Sequence, residues 1–315
     1  MTRRVAAIDC GTNSIRLLIA DLEPGLTDLA REMRIVRLGE GVDRTGRLSE
    51  AALMRTMTAL HEYAGLIAEA KPEAVRMVAT SATRDAANSA EFTERVRDVL
   101  GVPPEVISGD EEAELSFAGA TRELVGTPLA GQDQCPPPYL VTDIGGGSTE
   151  FVLGGHGHIS GATSVNIGCV RLTERHLHGD PPLAAEVRAV TGDIDAALDQ
   201  AAAAVDVRQA STLVGLAGSV TTVTAIALSL DRYLPERIHH ARVPAGQVHE
   251  ITARLLGLTK AERAEIPGMH PGRIDVIAAG ALILDRIMAR FGFAEVLVSE
   301  HDILDGIAWS LDGRV

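Results

Sequence analysis

Two short stretches of this chain set an acid, glycines and a hydroxyl at the same spacing. VTDIGGGSTE (141–150) carries Asp143, Gly145, Gly146, Gly147, Ser148, Thr149 and Glu150, and DCGTNS (9–14) carries Asp9, Gly11, Asn13 and Ser14. Both read Asp-x-Gly-x-x-Ser, and 143 minus 9 places them 134 residues apart. Glycines at a tight turn let backbone N–H groups converge on one point, which makes a nest for phosphate oxygens. Asp143 and Glu150 are hard oxygen donors able to hold a phosphate-bound Mg²⁺ beside such a nest. The chemistry these residues suit is the handling of phosphoryl groups. One such match is expected about 0.1 times in a chain of this size. Its repetition predicts a duplicated fold whose halves each present a phosphate loop to a shared cleft.

Other residues fall where strands should end, the place at which sites of open α/β sheets collect. Glu112 lies in the first turn of a predicted helix with Asp110 and Glu111. For Asp110 and Glu111 the alternatives are complementing the helix dipole and a functional role, whereas for Glu112 the start of the helix at a strand end favours function. Arg84 follows the strand-like VRMVAT; it is either a surface arginine or a bidentate donor to phosphate. LVGLAGSVTTVTAI again reads strand, glycine turn, helix, so Gly215, Gly218 and Ser219 are a secondary anion site or merely a turn. His239 and His240, near Arg237 and Arg242, read as a solvated loop, with metal ligation the alternative. Ser299, Glu300, His301 and Asp302 close a predicted strand.

The elements that must position these residues follow from apolar spacing and breakers. Strands are predicted around the first loop and over 28–38, then a polar loop to Ser49, the N-cap of a helix running to about Lys71. Strand 75–80, a helix ending at Gly101, a short strand EVIS and the helix from Gly109 complete the first half. GTPLAGQDQCPPP (126–138) is the seam. The second half repeats the order: strands at 139–144, 149–154 and 157–166, helices at 168–178 and 182–204, and strand 212–218 with a helix after it. A loop from Tyr233 to Val243, helices at 245–256 and 259–265, a long helix from Pro271 to Phe291, strand 295–299 and a closing DILDGIAWSL follow.

At 315 residues the chain is long for one core, and two domains are expected. Aromatic residues make up only 3%, which speaks against stacking platforms for single-stranded nucleic acid. The net charge of −14 opposes approach to nucleic acid or to an anionic membrane. Cys10, Cys135 and Cys169 have no metal-type spacing and predict reduced thiols in a cytoplasmic protein. No apolar run reaches transmembrane length, and the N-terminus leaves no room for a signal peptide before the first strand.

DCGTNSIRLLI, ATSATRDAAN, VISGDEEAELSF, VTDIGGGSTEFVL, GLAGSVTT, PGRIDVIAAGALIL and SEHDILDGI, running in that order from residue 5 to about 307, resemble the exopolyphosphatase/guanosine pentaphosphate phosphatase family. The resemblance implies an α/β chain with the duplicated RNase H-like fold of actin, hexokinase and Hsp70, two domains enclosing an inter-domain cleft. It implies a first domain over 1–125, with a C-terminal helix in 300–315 packing back on it, and a second over 126–299. The chain is similar to the short, two-domain members, which implies a preference for shorter chains of substrate. By the resemblance, Glu112 is the general base and Glu150 the second catalytic carboxylate. Asp143 and Glu150 hold Mg²⁺, with Mn²⁺ or a monovalent cation as alternatives. Asn13, Ser14, Gly145, Gly146, Gly147, Ser148 and Thr149 bind phosphate, and Arg84 is the cleft arginine. The implied activity is Mg²⁺-dependent release of orthophosphate from inorganic polyphosphate by a homodimer. The alternative is hydrolysis of the stringent-response nucleotide pppGpp to ppGpp. Two readings of another class are an ATP-dependent kinase that seats adenosine on GLAGSVTT and a nucleotide-sensing, actin-like assembly protein.

Overall fold

Each phosphate-type loop sits in a hairpin because apolar runs on both sides of it form neighbouring strands. The computed structural model describes residues 3–23, 25–124 and 135–312. The chain divides into two compact units, Met1–Gly119 with Ile303–Val315, and Ala120–Asp302. The expected seam lies outside the described residues up to position 134.

In the first unit, β1 (Arg4–Cys10) and β2 (Ser14–Asp21) form the hairpin and β3 (Thr27–Ile35) extends it. After α1 (Val42–Thr45) and α2 (Glu50–Ala70) come β4 (Ala74–Ala79), α3 (Ser81–Arg84), α4 (Ser89–Leu100), β5 (Glu105–Val106) and α5 (Gly109–Thr121). The sheet order is β3-β2-β1-β4-β5, antiparallel in the hairpins and parallel from β1 to β5. β1 is buried on both faces, and its alternation divides the core. Ala6, Ile8 and Cys10 pack with Leu53, Leu60, Tyr63 and Phe92 of α2 and α4. Val5 and Ala7 pack with Ile303, Leu304 and Ile307 on the opposite face. Those last residues belong to the helix Ile303–Ser310 near the end of the chain. Ser49 caps α2 by accepting the Ala52 N–H at 3.2 Å, and the Tyr63 hydroxyl donates to the Ile15 carbonyl at 3.0 Å, tying α2 to β2.

The second unit begins with β6 (Tyr139–Ile144), β7 (Thr149–Gly155), β8 (His158–Val165), α6 (Cys169–His176) and α7 (Ala184–Ala204). Next are β9 (Thr212–Leu216), α8 (Ala217–Ala227), α9 (Pro235–Ile238), β10 (Arg242–Pro244) and α10 (Ala245–Gly257). α11 (Lys260–Ala264), α12 (Ile277–Phe291) and β11 (Glu295–Val298) complete it, before α13 (Ile303–Ser310) returns to the first unit. Its sheet order is β10-β11-β9-β6-β7-β8. Read from β8 inward, strands β8-β7-β6-β9-β11 repeat β3-β2-β1-β4-β5 in order and direction. The duplication predicted from two six-residue motifs is thus a duplication of whole sheets, the RNase H-like α/β fold. α12 is apolar nearly all round and lies in the centre of this unit's core with Leu140, Phe151, Ile194 and Val220.

Four local expectations change. The polar stretch after β3 contains the one-turn α1, set between Gly41 and Gly46, both in the left-handed region. Strand β9 ends at Leu216 and not at Gly218, because Ala217, at φ 66°, turns the chain directly into α8. Pro271 opens a separate 3-10 turn over Pro271–Arg273 rather than a long helix. His270 Nδ1 accepts the Gly272 N–H at 3.1 Å and closes that turn, so α12 starts afresh at Ile277. The loop after Tyr233 contains the edge strand β10, whose three residues include a proline and carry too short a pattern to read.

Candidate active site

The two loops close in the same way. Gly11 N–H donates to the Ser14 carbonyl at 3.0 Å, and Gly145 N–H donates to the Ser148 carbonyl at 3.1 Å. In each, carbonyls of the turn are taken by a later segment. Asn13 O accepts the N–H groups of Val36 and Arg37 at 3.0 and 2.9 Å, and Thr12 O accepts that of Gly39 at 2.9 Å. In the second unit the start of α6 does this work: Cys169 N–H donates to Gly145 O (3.0 Å), and Val170 and Arg171 N–H donate to Gly146 O (2.9 and 3.1 Å). Arg171 Nε donates to Gly147 O at 2.7 Å. Among the described residues, no backbone carbonyl takes the N–H groups of Gly146, Gly147 or Ser148. With carbonyls tied down and amides left over, the second loop has the backbone arrangement that an anion nest requires. Gly168 is required here, since a Cβ on it would overlap the Gly146 carbonyl and the Gly147 nitrogen.

The acids next to the loops differ between units. Asp9 faces Arg16 across β1 and β2, and Arg16 holds it through Nε and Nη2 to Oδ2 at 3.0 and 2.6 Å. At the equivalent position, 134 residues on, Asp143 faces Glu150 across β6 and β7. Residues directly opposed on antiparallel strands share a face, and like charges so placed repel. Both are buried, and Ser164 of β8 donates its hydroxyl to Glu150 Oε1 at 2.7 Å. Two buried carboxylates side by side are an oxygen-only donor set of the kind Mg²⁺ takes. The cation the sequence implies therefore fits the residues present.

In the first unit, Glu112 is buried at the start of α5, its N–H donating to Ser108 O at 3.0 Å. Arg84, at the end of α3, donates through Nη1 to the Ile107 carbonyl at 2.9 Å and to Glu112 Oε2 at 3.2 Å. It is half-buried and joins β4's end to α5, so it is not a plain surface arginine. Glu111, by contrast, pairs with Arg76 at 2.7 Å and belongs to the scaffold. Thr12 and Ser81 hydroxyls meet at 2.9 Å, linking the first loop to α3. Burial, and then the neighbouring Asp9, pushes the Cys10 thiol up, which disfavours the thiolate. In GLAGSVTT, the Arg273 guanidinium covers the point where a Cβ on Gly218 would stand.

Thus the first unit gathers Asn13, Ser14, Arg84 and Glu112, and the second gathers Asp143, Gly145 to Thr149 and Glu150. Sequence reasoning missed Gly168, Arg171 and Ser164, which hold the second loop and its acid. The only signal for the first two was a helix start at GCVR, 23 residues beyond the loop by 168 minus 145.

A model of the Ppx/GppA phosphatase family matches residues 18–313. The chain belongs to this family. As a Ppx/GppA protein it is an enzyme, a phosphatase. It is 49% identical over 324 aligned residues to Exopolyphosphatase 2 of Mycobacterium tuberculosis strain H37Rv, covering 98% of this chain and 99% of that one. Among solved structures it is similar to an exopolyphosphatase-like protein, with 43% identity, a TM-score of 0.93 and 99% of each chain covered. It is similar also to the Aquifex aeolicus Ppx/GppA family member, with 30% identity, a TM-score of 0.80 and 100% of each chain covered. No helix among the described residues of this family member is long and apolar enough to cross a membrane.

Proposed function

We propose that the chain is an exopolyphosphatase that releases orthophosphate from the ends of inorganic polyphosphate, favouring shorter chains and depending on Mg²⁺. The observation that carries this reading is the pair of nests, each closed by the same Gly to Ser hydrogen bond and backed by an acid. The name of the 49% identical relative supports the same substrate.

In this reading each loop binds phosphoryl oxygens through its amides and a serine hydroxyl, Ser14 in the first unit and Ser148 in the second, while the buried Thr149 hydroxyl donates to the Ile167 carbonyl at 2.7 Å and serves the loop through its backbone alone. Asp143 and Glu150 would hold Mg²⁺, which supplies neutralisation of phosphoryl oxygen charge when bound. Glu112 orients a water for in-line attack on phosphorus and accepts its proton. Arg84, by donating to Glu112 Oε2, fixes the orientation of that carboxylate. Phosphoryl transfer has a loose transition state, so positioning and charge neutralisation by these groups carry most of the acceleration.

The second substrate reading is pppGpp, since it too ends in a phosphoanhydride that the same loops could hold. A phosphate-release assay with short and long polyphosphate, pppGpp and ATP tests the proposal. Polyphosphate should show the highest kcat/KM, released to water without an acceptor. A higher value on pppGpp would reassign the substrate, and transfer only to an acceptor would restore the kinase reading. The proposal also takes the enzyme as a homodimer, which size-exclusion chromatography of the same sample reads out.

A further inference from the structure

The chemistry proposed above uses none of the ten histidines. Three of them gather in the second unit, away in sequence from both loops. His239 ends α9, His240 follows it, and His301 follows β11. The His239 ring lies 3.6 Å from that of His240 and 4.7 Å from that of His301, centroid to centroid. Glu123, just beyond α5, sends one oxygen to both sides of the group: Oε2 is 3.4 Å from His239 Nε2 and 3.2 Å from His301 Nδ1. His239 and His301 are half-buried, and Glu123 is exposed.

Those distances have a chemical meaning. In a tetrahedral zinc site with bonds of roughly 2.0–2.1 Å, neighbouring ligand atoms stand roughly 3.3 Å apart. The carboxylate oxygen meets each imidazole nitrogen at about that edge, and all three donor atoms lie within 4.8 Å of one another. Among the described residues this is the one such group of three. We propose that Glu123, His239 and His301 form a Zn²⁺ site, with water completing the coordination on the exposed side. Two imidazoles and one carboxylate favour zinc and disfavour Mg²⁺, which takes oxygen donors. The site is therefore chemically distinct from the acidic pair at Asp143 and Glu150.

His240, beside His239, adopts φ 61°, a left-handed conformation uncommon for a residue other than glycine. Coordination has one local competitor. The Glu300 N–H donates to His239 Nδ1 at 3.2 Å, and ligation through Nε2 moves the ring proton to Nδ1 and gives up that bond. The role fitting this position is structural. Glu123 and His301 flank the points at which the chain enters and leaves the second unit, after Gly119 and before Ile303, and a bound ion would tie those two segments together.

The test is equilibrium dialysis of the metal-stripped full chain against Zn²⁺ in excess Mg²⁺, with elemental analysis. The wild type should retain about one Zn²⁺ per chain, as for a preformed site. Glu123→Gln and His301→Gln should each weaken retention by at least roughly the 10–100-fold that losing a ligand's supporting partner costs. Phosphate release in Mg²⁺ by Glu123→Gln should stay at the wild-type rate. No zinc retained by the wild type, or equal retention by wild type and both variants, overturns the site. If His301→Gln does not fold, Glu123→Gln decides alone, since its exposed side chain is replaced by an isostere.

Discussion

Asp143 stands directly opposite Glu150 across β6 and β7, where the first unit sets Asp9 opposite Arg16. The same backbone pairing thus gives an ion pair in one half of the duplication and two like charges in the other. The repulsion in the second half makes it the natural place for a cation, and removing one acid should uncouple stability from Mg²⁺. Thermal unfolding with Mg²⁺ and with a chelator should show stabilisation of the wild type, about 2.7 kcal/mol at a hundred times Kd. Asp143→Asn should lose most of that increment together with phosphate release. An unchanged Mg²⁺ increment in the variant would remove Asp143 from the metal site.

Glu112→Gln keeps shape and burial but cannot accept a proton. A decrease in kcat on the order of 10²–10⁴-fold, with KM little changed, is expected from the loss of a general base. Steady-state phosphate release checks it, and a wild-type rate would assign the base elsewhere.

Arg84 donates to both the Ile107 carbonyl and Glu112. A lysine keeps the charge but not the planar fork. Arg84→Lys should therefore fail to restore the rate lost in Arg84→Ala, whereas equal activity of Arg84→Lys and wild type would reduce the role of Arg84 to charge alone.

Gly168 gives a direct test of the second nest, because it packs against the Gly146–Gly147 peptide that carries one of the nest's amides. Gly168→Ala should displace Gly146 and Gly147, cost about 1–3 kcal/mol of stability as overpacking does, and raise KM for phosphate substrates. Gly145→Ala, whose Cβ would stand 3.1 Å from Ser148 O, should be milder. Denaturant unfolding and steady-state kinetics on the two variants rank them; the reverse order would argue against α6 as the loop's support.

Asp193 accepts from His176 Nε2 at 2.7 Å and from Arg175 Nη1 at 3.0 Å. The His176 hydrogen bond, against an opposing effect of burial and with help from Arg175, lowers its pKa. A folded value below the unfolded one, about 4, means the stabilisation is present above that pH and lost as pH falls through the folded value. The pair is more than a third exposed, so its worth is at most about 1 kcal/mol. Asp193→Asn should lower Tm at neutral pH, with the gap to wild type closing below about pH 4. A gap that persists in acid would mean the loss comes from packing.

The sequence alone determined the duplication, because glycine, aspartate and serine at fixed spacing between apolar runs admit few other local structures. It also determined most of the succession of strands and helices along each half, the Ser49 cap and the position of Glu112 in the first turn of α5, all of which depend on contacts within a few residues. Tertiary structure decided what is not local. That Asp143 faces an acid while Asp9 faces an arginine depends on hairpin register. That Gly168 and Arg171 hold the loop depends on β8 returning the chain to it. Glu123, His239 and His301 are separated by 116 and 62 residues (239 minus 123, 301 minus 239), and no spacing rule joins them. Only the packing of the ends of α5, α9 and β11 brings their donor atoms within reach of one ion.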